Sequence, residues 1–183
     1  LVPRNLRFEI LERVAFDGKI LVPLSEEEVI KCANKLKELK VEAVAVSYLN
    51  SFANSYHEMK TGEILRKFLP NAYISISAEV LPQMKEYERT STTVINSYVG
   101  PPVKKYIQSL VDQTKKSGFR NSRLMVMQSS GGILDSDSVV KKPAQIIECG
   151  PAAGVIGAQF MSKQTGYEDL ITLDMGGTTA KAS

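Results

Sequence analysis

Residues 41–49, Val-Glu-Ala-Val-Ala-Val-Ser-Tyr-Leu, form a nearly continuous β-branched and apolar run with polar residues at its borders. Such a run suits a parallel strand covered on both faces, because a strand with one wet face alternates instead. The neighbouring segments can supply the cover. Ser25 opens a helix, and Glu28 three residues later completes a capping box. Val29, Cys32, Ala33, Leu36 and Leu39 recur at helical spacing, which leaves Lys31, Lys35 and Glu38 to solvent. A second amphipathic helix spans about residues 56–68 and stops at Pro70, and residues 72–77 alternate as a strand. Helix, strand, helix, strand predicts an α/β chain with at least part of a parallel sheet.

Ahead of this unit, residues 6–10, 13–15 and 19–22 read as strands, the last two folded about Asp17-Gly18. Beyond it, residues 86–117 read mainly as helix, broken near Gly100-Pro101-Pro102 because proline cannot continue a helix interior. Residues 124–127 are a short buried strand that ends in Gln128-Ser129-Ser130-Gly131-Gly132. Gly150-Pro151 starts a small-residue helix through about Met161, and residues 170–173 are a last strand.

At 183 residues and 43% hydrophobic, the chain can build one core or two small ones and is no disordered tail. It contains no run of about 18 apolar residues, which argues against a membrane span. A net charge of +3, with both signs mixed along the chain, argues against a nucleic-acid footprint. Cys32 and Cys149 are too few and too far apart for a disulfide scaffold or a zinc site. With no secretory signal, a reducing cytoplasm is the expected location. The chain opens at Leu1 without Met and stops shortly after a Gly-Gly turn, so it reads as a piece of something longer. Leu1-Val2-Pro3-Arg4 looks like a thrombin site, but cleavage would discard that tetrapeptide, so it reads as native.

Residues 170–179, Leu-Ile-Thr-Leu-Asp-Met-Gly-Gly-Thr-Thr, carry the strongest chemical signal. An apolar strand delivers the Asp174 carboxylate, and glycines and hydroxyls follow at once. Gly176 and Gly177 let the backbone turn tightly and bring N–H groups close to an anion, while Thr178 and Thr179 can donate to phosphate oxygens. Asp174 would repel phosphate itself; it suits Mg²⁺, directly or through water, or the orientation of an attacking water. A plain β-hairpin turn with a capping Asp fits the same residues.

A second signal is Glu148-Cys149-Gly150-Pro151-Ala152-Ala153-Gly154, with Gly157 beyond. On a helix, Gly150, Gly154 and Gly157 share one smooth face, suited to close packing or to a ligand near the helix start. The spacing matches neither the dinucleotide fingerprint nor a P-loop. The polar turn from Gln128 to Gly132 follows a strand, where open α/β sheets place ligands, but an ordinary loop fits as well. His57 reads as a surface histidine at a helix start, which leaves Ser129 and Ser130 without a triad partner. Cys149 reads as an inert thiol or as one activated by a helix start. Glu86-Tyr87-Glu88-Arg89-Thr90 reads as a solvated helix start or part of a site, and Lys181 is one of many lysines able to contact phosphate.

Taken in order, residues 86–99, residues 127–133 (Met-Gln-Ser-Ser-Gly-Gly-Ile), residues 150–154 (Gly-Pro-Ala-Ala-Gly) and residues 174–181 (Asp-Met-Gly-Gly-Thr-Thr-Ala-Lys) resemble the hydantoinase A / 5-oxoprolinase family. Residues 41–58 are similar to it too. The resemblance implies a partial actin-like, ribonuclease-H-like ATPase fold, with residues 1–85 ending a first lobe and residues 86–183 connecting to and starting a second. It implies ATP and Mg²⁺ as cofactors and ATP-dependent opening of a cyclic amide, a hydantoin or 5-oxoproline, through phosphorylation of the amide oxygen. Ketone carboxylation, sugar-kinase-like phosphotransfer and a non-catalytic nucleotide-binding module stay open beside it.

The same resemblance makes Asp174 the catalytic and metal candidate and Gly176, Gly177, Thr178 and Thr179 the second of two phosphate loops. Candidate substrate contacts are Arg89, Ser129, Gly131, Gly132, Gly150 and Gly154. A B-type second subunit or domain is an implied partner, and self-association is expected through uncovered apolar surface. Lacking the first phosphate loop, the isolated chain is expected to be inactive. Two departures stand out. Cys149 replaces the Ser many members carry before Gly-Pro-Ala-Ala-Gly, and Ala180-Lys181 replaces Thr-Asp. Asp174 is then the only acidic metal candidate in its loop.

Overall fold

The computed structural model describes residues 2–119 and 123–183, so Leu1 of the opening tetrapeptide lies outside the described residues. Two compact units, Leu1–Val103 and Lys104–Ser183, divide the chain inside its longest described helix.

In the first unit, strand β1 (Arg13–Val14) pairs antiparallel with β2 (Ile20–Val22) across the expected Asp17-Gly18 turn. Helix α1 (Glu26–Glu38) follows, and the Ser25 hydroxyl accepts from the Glu28 N–H at 3.4 Å. The capping box is only half made. Glu28 Oε2 accepts from the Leu11 N–H at 2.7 Å, while the Ser25 N–H donates to the Leu11 carbonyl at 2.9 Å. That exchange explains why residues 6–10 form no strand: a 3-10 turn at Arg4–Leu6 leads into chain that is fastened to a helix start instead of a sheet.

Strand β3 (Ala43–Val46) pairs in parallel with β4 (Tyr73–Ile76), connected by helix α2 (Tyr56–Phe68). Val46 packs with Ala33 and Leu36 of α1 and with Leu65 and Leu69 at the end of α2, and Val44 and Ile74 adjoin this cluster. Leu39 lies past the helix end and is exposed, contrary to its periodicity. Alternate strand residues face the other way, toward helix α4 (Glu86–Lys116). There Asn96 Nδ2 donates to Ser75 Oγ at 3.0 Å, and Ser97 Oγ donates to the Val44 carbonyl at 3.1 Å. The strand pair is therefore covered on both faces, one apolar and one polar. A short helix α3 (Ser77–Val80), not foreseen, follows β4 directly.

Helix α4 runs unbroken through Pro101 and Pro102, against the expected break. Gly100 has no Cβ to clash with the Pro101 ring, which relieves the first of the two positions that precede a proline, though not Pro101 before Pro102. A Cβ on Gly100 would sit 2.3 Å from the Tyr73 ring, so the same glycine brings the helix against β4.

In the second unit, β5 (Met125–Met127) and β6 (Ile133–Asp135) form a hairpin, followed by α5 (Ser136–Lys141), capped by Asp135. A 3-10 turn at Pro143–Ile146 leads to α6 (Cys149–Thr165). The last elements are a hairpin of β7 (Leu173–Met175) and β8 (Ala180–Ala182). Strand β7 thus starts later than periodicity suggested and includes Asp174, which lies opposite Lys181 in the register. Apolar side chains here remain uncovered: Ile171 is 88% exposed, Met175 71% and Leu173 68%. No helix among the described residues is long and apolar enough to cross a membrane.

Candidate functional site

Glu148 stands where the glycine-bearing segments of the second unit meet. Its N–H donates to Ser129 Oγ at 3.0 Å, and its carbonyl accepts from the Ala152 N–H at 3.3 Å in the first turn of α6. Its carboxylate Oε2 pairs with Lys181 Nζ of β8. The β5–β6 loop, the start of α6 and the β7–β8 hairpin thereby converge on one residue. A cleft of about 400 Å³ lies beside it, lined among others by Pro151, Gly154, Thr172, Asp174 and Lys181.

The loop from Gln128 to Gly132 is the turn of the β5–β6 hairpin. The Gln128 N–H donates to the Gly132 carbonyl at 2.7 Å, and the Ser129 N–H to the Gln145 carbonyl at 2.7 Å. Gly131 has φ +90°, a left-handed conformation that disfavours other residues, and a Cβ on Gly132 would sit 2.4 Å from Gln128 Oε1. The hairpin itself requires glycine at 131, whereas at 132 only the end of the Gln128 side chain would have to move. Ser130 is exposed, and Ser129 is engaged by Glu148.

The glycines of α6 behave differently. Added Cβ atoms at Gly150, Gly154 and Gly157 would meet nothing within 4 Å, so the close packing that their spacing suggested is not made among the described residues. Cys149, at the first position of α6, is a half-buried free thiol.

The segment from Asp174 to Lys181 forms the β-hairpin, closed by the Gly176 N–H donating to the Thr179 carbonyl at 2.9 Å. Neither Gly176 nor Gly177 has a left-handed φ. A Cβ on Gly177 would meet nothing, and one on Gly176 would make only ordinary contact with Thr179 O at 3.7 Å. The turn therefore does not itself demand glycine. Its tip, with exposed Thr178 and Thr179, has room for an anion close to the backbone. Among the described residues no group of three or more His, Cys, Asp or Glu could hold a metal. Asp174 would be a lone carboxylate ligand, which suits Mg²⁺, an ion that takes its other ligands from phosphate and water. The residues present fit a nucleotide phosphate with Mg²⁺.

Arg89 lies in the first unit and is fully buried. Its Nη1 is 3.5 Å from Glu58 Oε1 and donates to Ser77 Oγ at 2.8 Å, while Nη2 donates to the Tyr48 carbonyl at 2.7 Å. Glu58, also fully buried, accepts from the Tyr48 N–H at 2.7 Å, Ser77 Oγ at 2.6 Å and the Ala78 N–H at 2.8 Å. The solvated helix start expected around Arg89 is correct only for Tyr87 and Glu88; Arg89 turns inward because Glu58 waits there. His57 is likewise buried, not on the surface, with Nδ1 2.8 Å from Glu12 Oε2. Burial pushes the Tyr48 phenol up to about 12; its Thr61 hydrogen bond opposes that, and the Glu12 and Glu58 carboxylates reinforce it. Sequence reasoning missed this network. Its trace was the polar stripe Glu86, Arg89, Thr93, Asn96, Ser97, which repeats at helical spacing and so marks a face turned toward polar partners.

Comparison with known proteins gives a consistent picture. Residues 1–69 match the family model described as hydantoinase/oxoprolinase N-terminal region, and residues 89–183 match the model described as hydantoinase/oxoprolinase. The chain is 45% identical over 183 residues to an uncharacterized protein of Methanocaldococcus jannaschii, covering 100% of this chain and 27% of that protein. It is 34% identical over 179 residues to caprolactamase subunit alpha of Pseudomonas jessenii, covering 98% and 26%. The crystal structure of that ATP-dependent caprolactamase superposes with a TM-score of 0.84 and 32% identity, covering 99% of this chain and 26% of that one. Nucleotide-free acetone carboxylase, an enzyme of ATP-dependent acetone carboxylation, superposes with a TM-score of 0.88 and 28% identity, covering 100% and 26%. The α/β fold is accordingly that of a partial actin-like ATPase, and the chain spans about a quarter of the length of these relatives.

Proposed function

The chain belongs to the hydantoinase/oxoprolinase family, and from that premise we propose that it is the phosphate-binding part of an ATP-dependent enzyme that opens a cyclic amide of the hydantoin or 5-oxoproline type. The observation that carries this reading is the cleft shared by α6 and the β7–β8 hairpin, where Asp174, Lys181 and Gly154 line one space. In this reading residues 1–85 end the first lobe and residues 86–183 begin the second. ATP and Mg²⁺ are the cofactors, a second subunit is the partner, and the cytoplasm is the location. The subunit designation of the caprolactamase relative supports the partner, and the exposed apolar side chains of β7 support association, including with a second copy.

Bound nucleotide would supply the phosphoryl group that, placed on the amide oxygen, makes the ring carbon a better electrophile for water. The chain's own part is positional. The tip from Gly176 to Thr179 approaches phosphate oxygens with backbone N–H groups and hydroxyls. Asp174, set back on β7, holds the divalent ion or a water. Gly150 and Gly154 leave the start of α6 open to a polar substrate group, with Ser129, Gly131 and Gly132 shaping the adjoining loop. Arg89 acts from a distance, by fixing the start of α4.

A second reading, ATP-dependent ketone carboxylation, is favoured by the superposition on acetone carboxylase. One assay separates them: Mg²⁺-dependent ATP hydrolysis by the full-length protein with hydantoin, 5-oxoproline, caprolactam, or acetone plus bicarbonate. Stimulation by a cyclic amide, lost in Asp174→Ala, supports the amidohydrolase. Stimulation only by acetone with bicarbonate moves the protein to the carboxylases. Tight nucleotide binding with no stimulation favours a binding module, and phosphate retained on an organic product favours a kinase. The 183-residue chain alone is expected to be inactive, and measurable turnover by it would overturn that expectation.

A further inference from the structure

Lys181 occupies an unusual electrostatic position. The hairpin register sets it directly opposite Asp174, so both side chains leave the same face of the β7–β8 ribbon, and both line the cleft. Its ammonium nevertheless pairs with Glu148, across from the hairpin at the entry to α6. Lys181 therefore shares the cleft with Asp174 while its ammonium is held by Glu148, and it stands two residues along the chain from Thr179 at the hairpin tip. Its side chain is 41% exposed and that of Glu148 59%. An ion pair this wet is held weakly, by a factor of about five or less. A phosphate group carries more charge than a carboxylate and offers several acceptor oxygens to the same ammonium. Glu148 does not depend on Lys181 for its place, since its N–H is fixed by Ser129 and its carbonyl by Ala152.

From these relations we propose that Lys181 is an exchangeable counter-ion. Glu148 holds it while the hairpin carries no anion, and it transfers to phosphate oxygens when a polyphosphate occupies the tip. Glu148 is then a positioning residue: it keeps the lysine extended toward the cleft and competes with the incoming phosphate for it. The proposal rests on the nucleotide-site reading above. It assigns to Lys181 the cation of the hairpin, and to Glu148 a control over affinity that neither residue's exposure alone would suggest.

The two roles predict effects of opposite sign. Binding of ATP and of inorganic tripolyphosphate to the full-length protein would be measured by titration calorimetry for the parent, Glu148→Gln, Lys181→Ala, Lys181→Arg and the Glu148→Gln/Lys181→Ala double variant. Glu148→Gln removes the competitor and should tighten both ligands about fivefold. Lys181→Ala should weaken both by a similar factor, and Lys181→Arg, which keeps the charge, should stay near the parent. In the double variant the gain from Glu148→Gln should disappear, because no lysine remains to be freed. If Glu148→Gln weakens binding as Lys181→Ala does, the pair is only a structural tie and the proposal fails. If the gain persists without Lys181, Glu148 acts by simple repulsion and the exchange fails. A parent protein that binds neither ligand would overturn the nucleotide site itself, a result distinct from either failure.

Discussion

One ion pair and several glycines differ in kind between the two units. In the first, Arg89 and Glu58 are both fully buried and share Ser77, Tyr48 and Ala78 as hydrogen-bond partners, with Arg89 Nε left without one. In the second, Lys181 and Glu148 meet in the open beside a cleft. Gly62 and Gly100 of the first unit are each pressed by a neighbour, Ile76 and Tyr73, at 2.4 and 2.3 Å from where a Cβ would be. Gly150, Gly154 and Gly177 of the second face empty space. A buried pair and a filled glycine are explained by the fold that contains them. Exposed pairs also occur in the first unit, as Lys31–Glu27, Lys60–Glu26 and Arg66–Glu79, so it is the cleft beside Lys181 together with the unfilled glycines of α6 that sets the second unit apart. By that criterion the proposed site belongs to the second unit.

The sharpest way to break this contrast is to remove one buried charge. Arg89→Met should destabilise the protein by about 3–5 kcal/mol, since Glu58 would stay buried without its cation. Urea denaturation measures it. Lys181→Met should change the same midpoint by at most about 1 kcal/mol. Equal effects would erase the distinction between the units.

Alkaline titration comes next. Burial holds the Tyr48 proton more tightly in the folded chain, with a phenol pKa of about 12 against 10. Tyr73, also pushed up to about 12 by burial, is the more exposed of the two and counts for less. Because the folded value is raised, the stabilisation is complete below pH 10 and is lost as pH rises toward 12. The loss from Tyr48 is about 2 kcal/mol. Denaturation midpoints across that range, in the parent and in Tyr48→Phe, test it: the variant should show a shallower decline, and parallel curves would refute the assignment.

The parts of the fold written in side-chain periodicity were legible beforehand. The alternation from Val29 to Leu36 and the apolar run around Val46 gave α1, β3 and their mutual core, since burying apolar surface imposes a period on sequence. Partner-dependent features were not. Glu28 leaves its capping box for the Leu11 N–H, a contact from elsewhere in the chain, and α4 continues through Pro101 where Gly100 lies against Tyr73 of β4. The site divides in the same way. Asp174, Gly176 and Gly177 were candidates by residue type alone. Glu148, the residue that joins the motifs, showed only as a charge before a helix, and nothing local says that Ser129 and Lys181 converge on it.

The smallest effect on stability gives the finest test of that division. Gly100→Ala and Gly154→Ala make the same change in two helices. At Gly100 the new methyl group would lie 2.3–2.7 Å from three atoms of the Tyr73 ring, so α4 or the ring must move, at about 1–3 kcal/mol. At Gly154 it would meet nothing, and alanine's better helix propensity should stabilise α6 by up to about 1 kcal/mol. If the open face of α6 serves only the fold, Gly154→Ala is harmless in every assay. If it faces a substrate, the variant should be as stable as the parent or more so, yet show a raised KM for the amide or ketone that stimulates ATP hydrolysis. Gly100→Ala should do the reverse, with lower stability and an unchanged KM. Measuring both quantities on both variants separates a glycine that the fold needs from one that a ligand needs, and a Gly154→Ala protein with unaltered KM would return α6 to the scaffold.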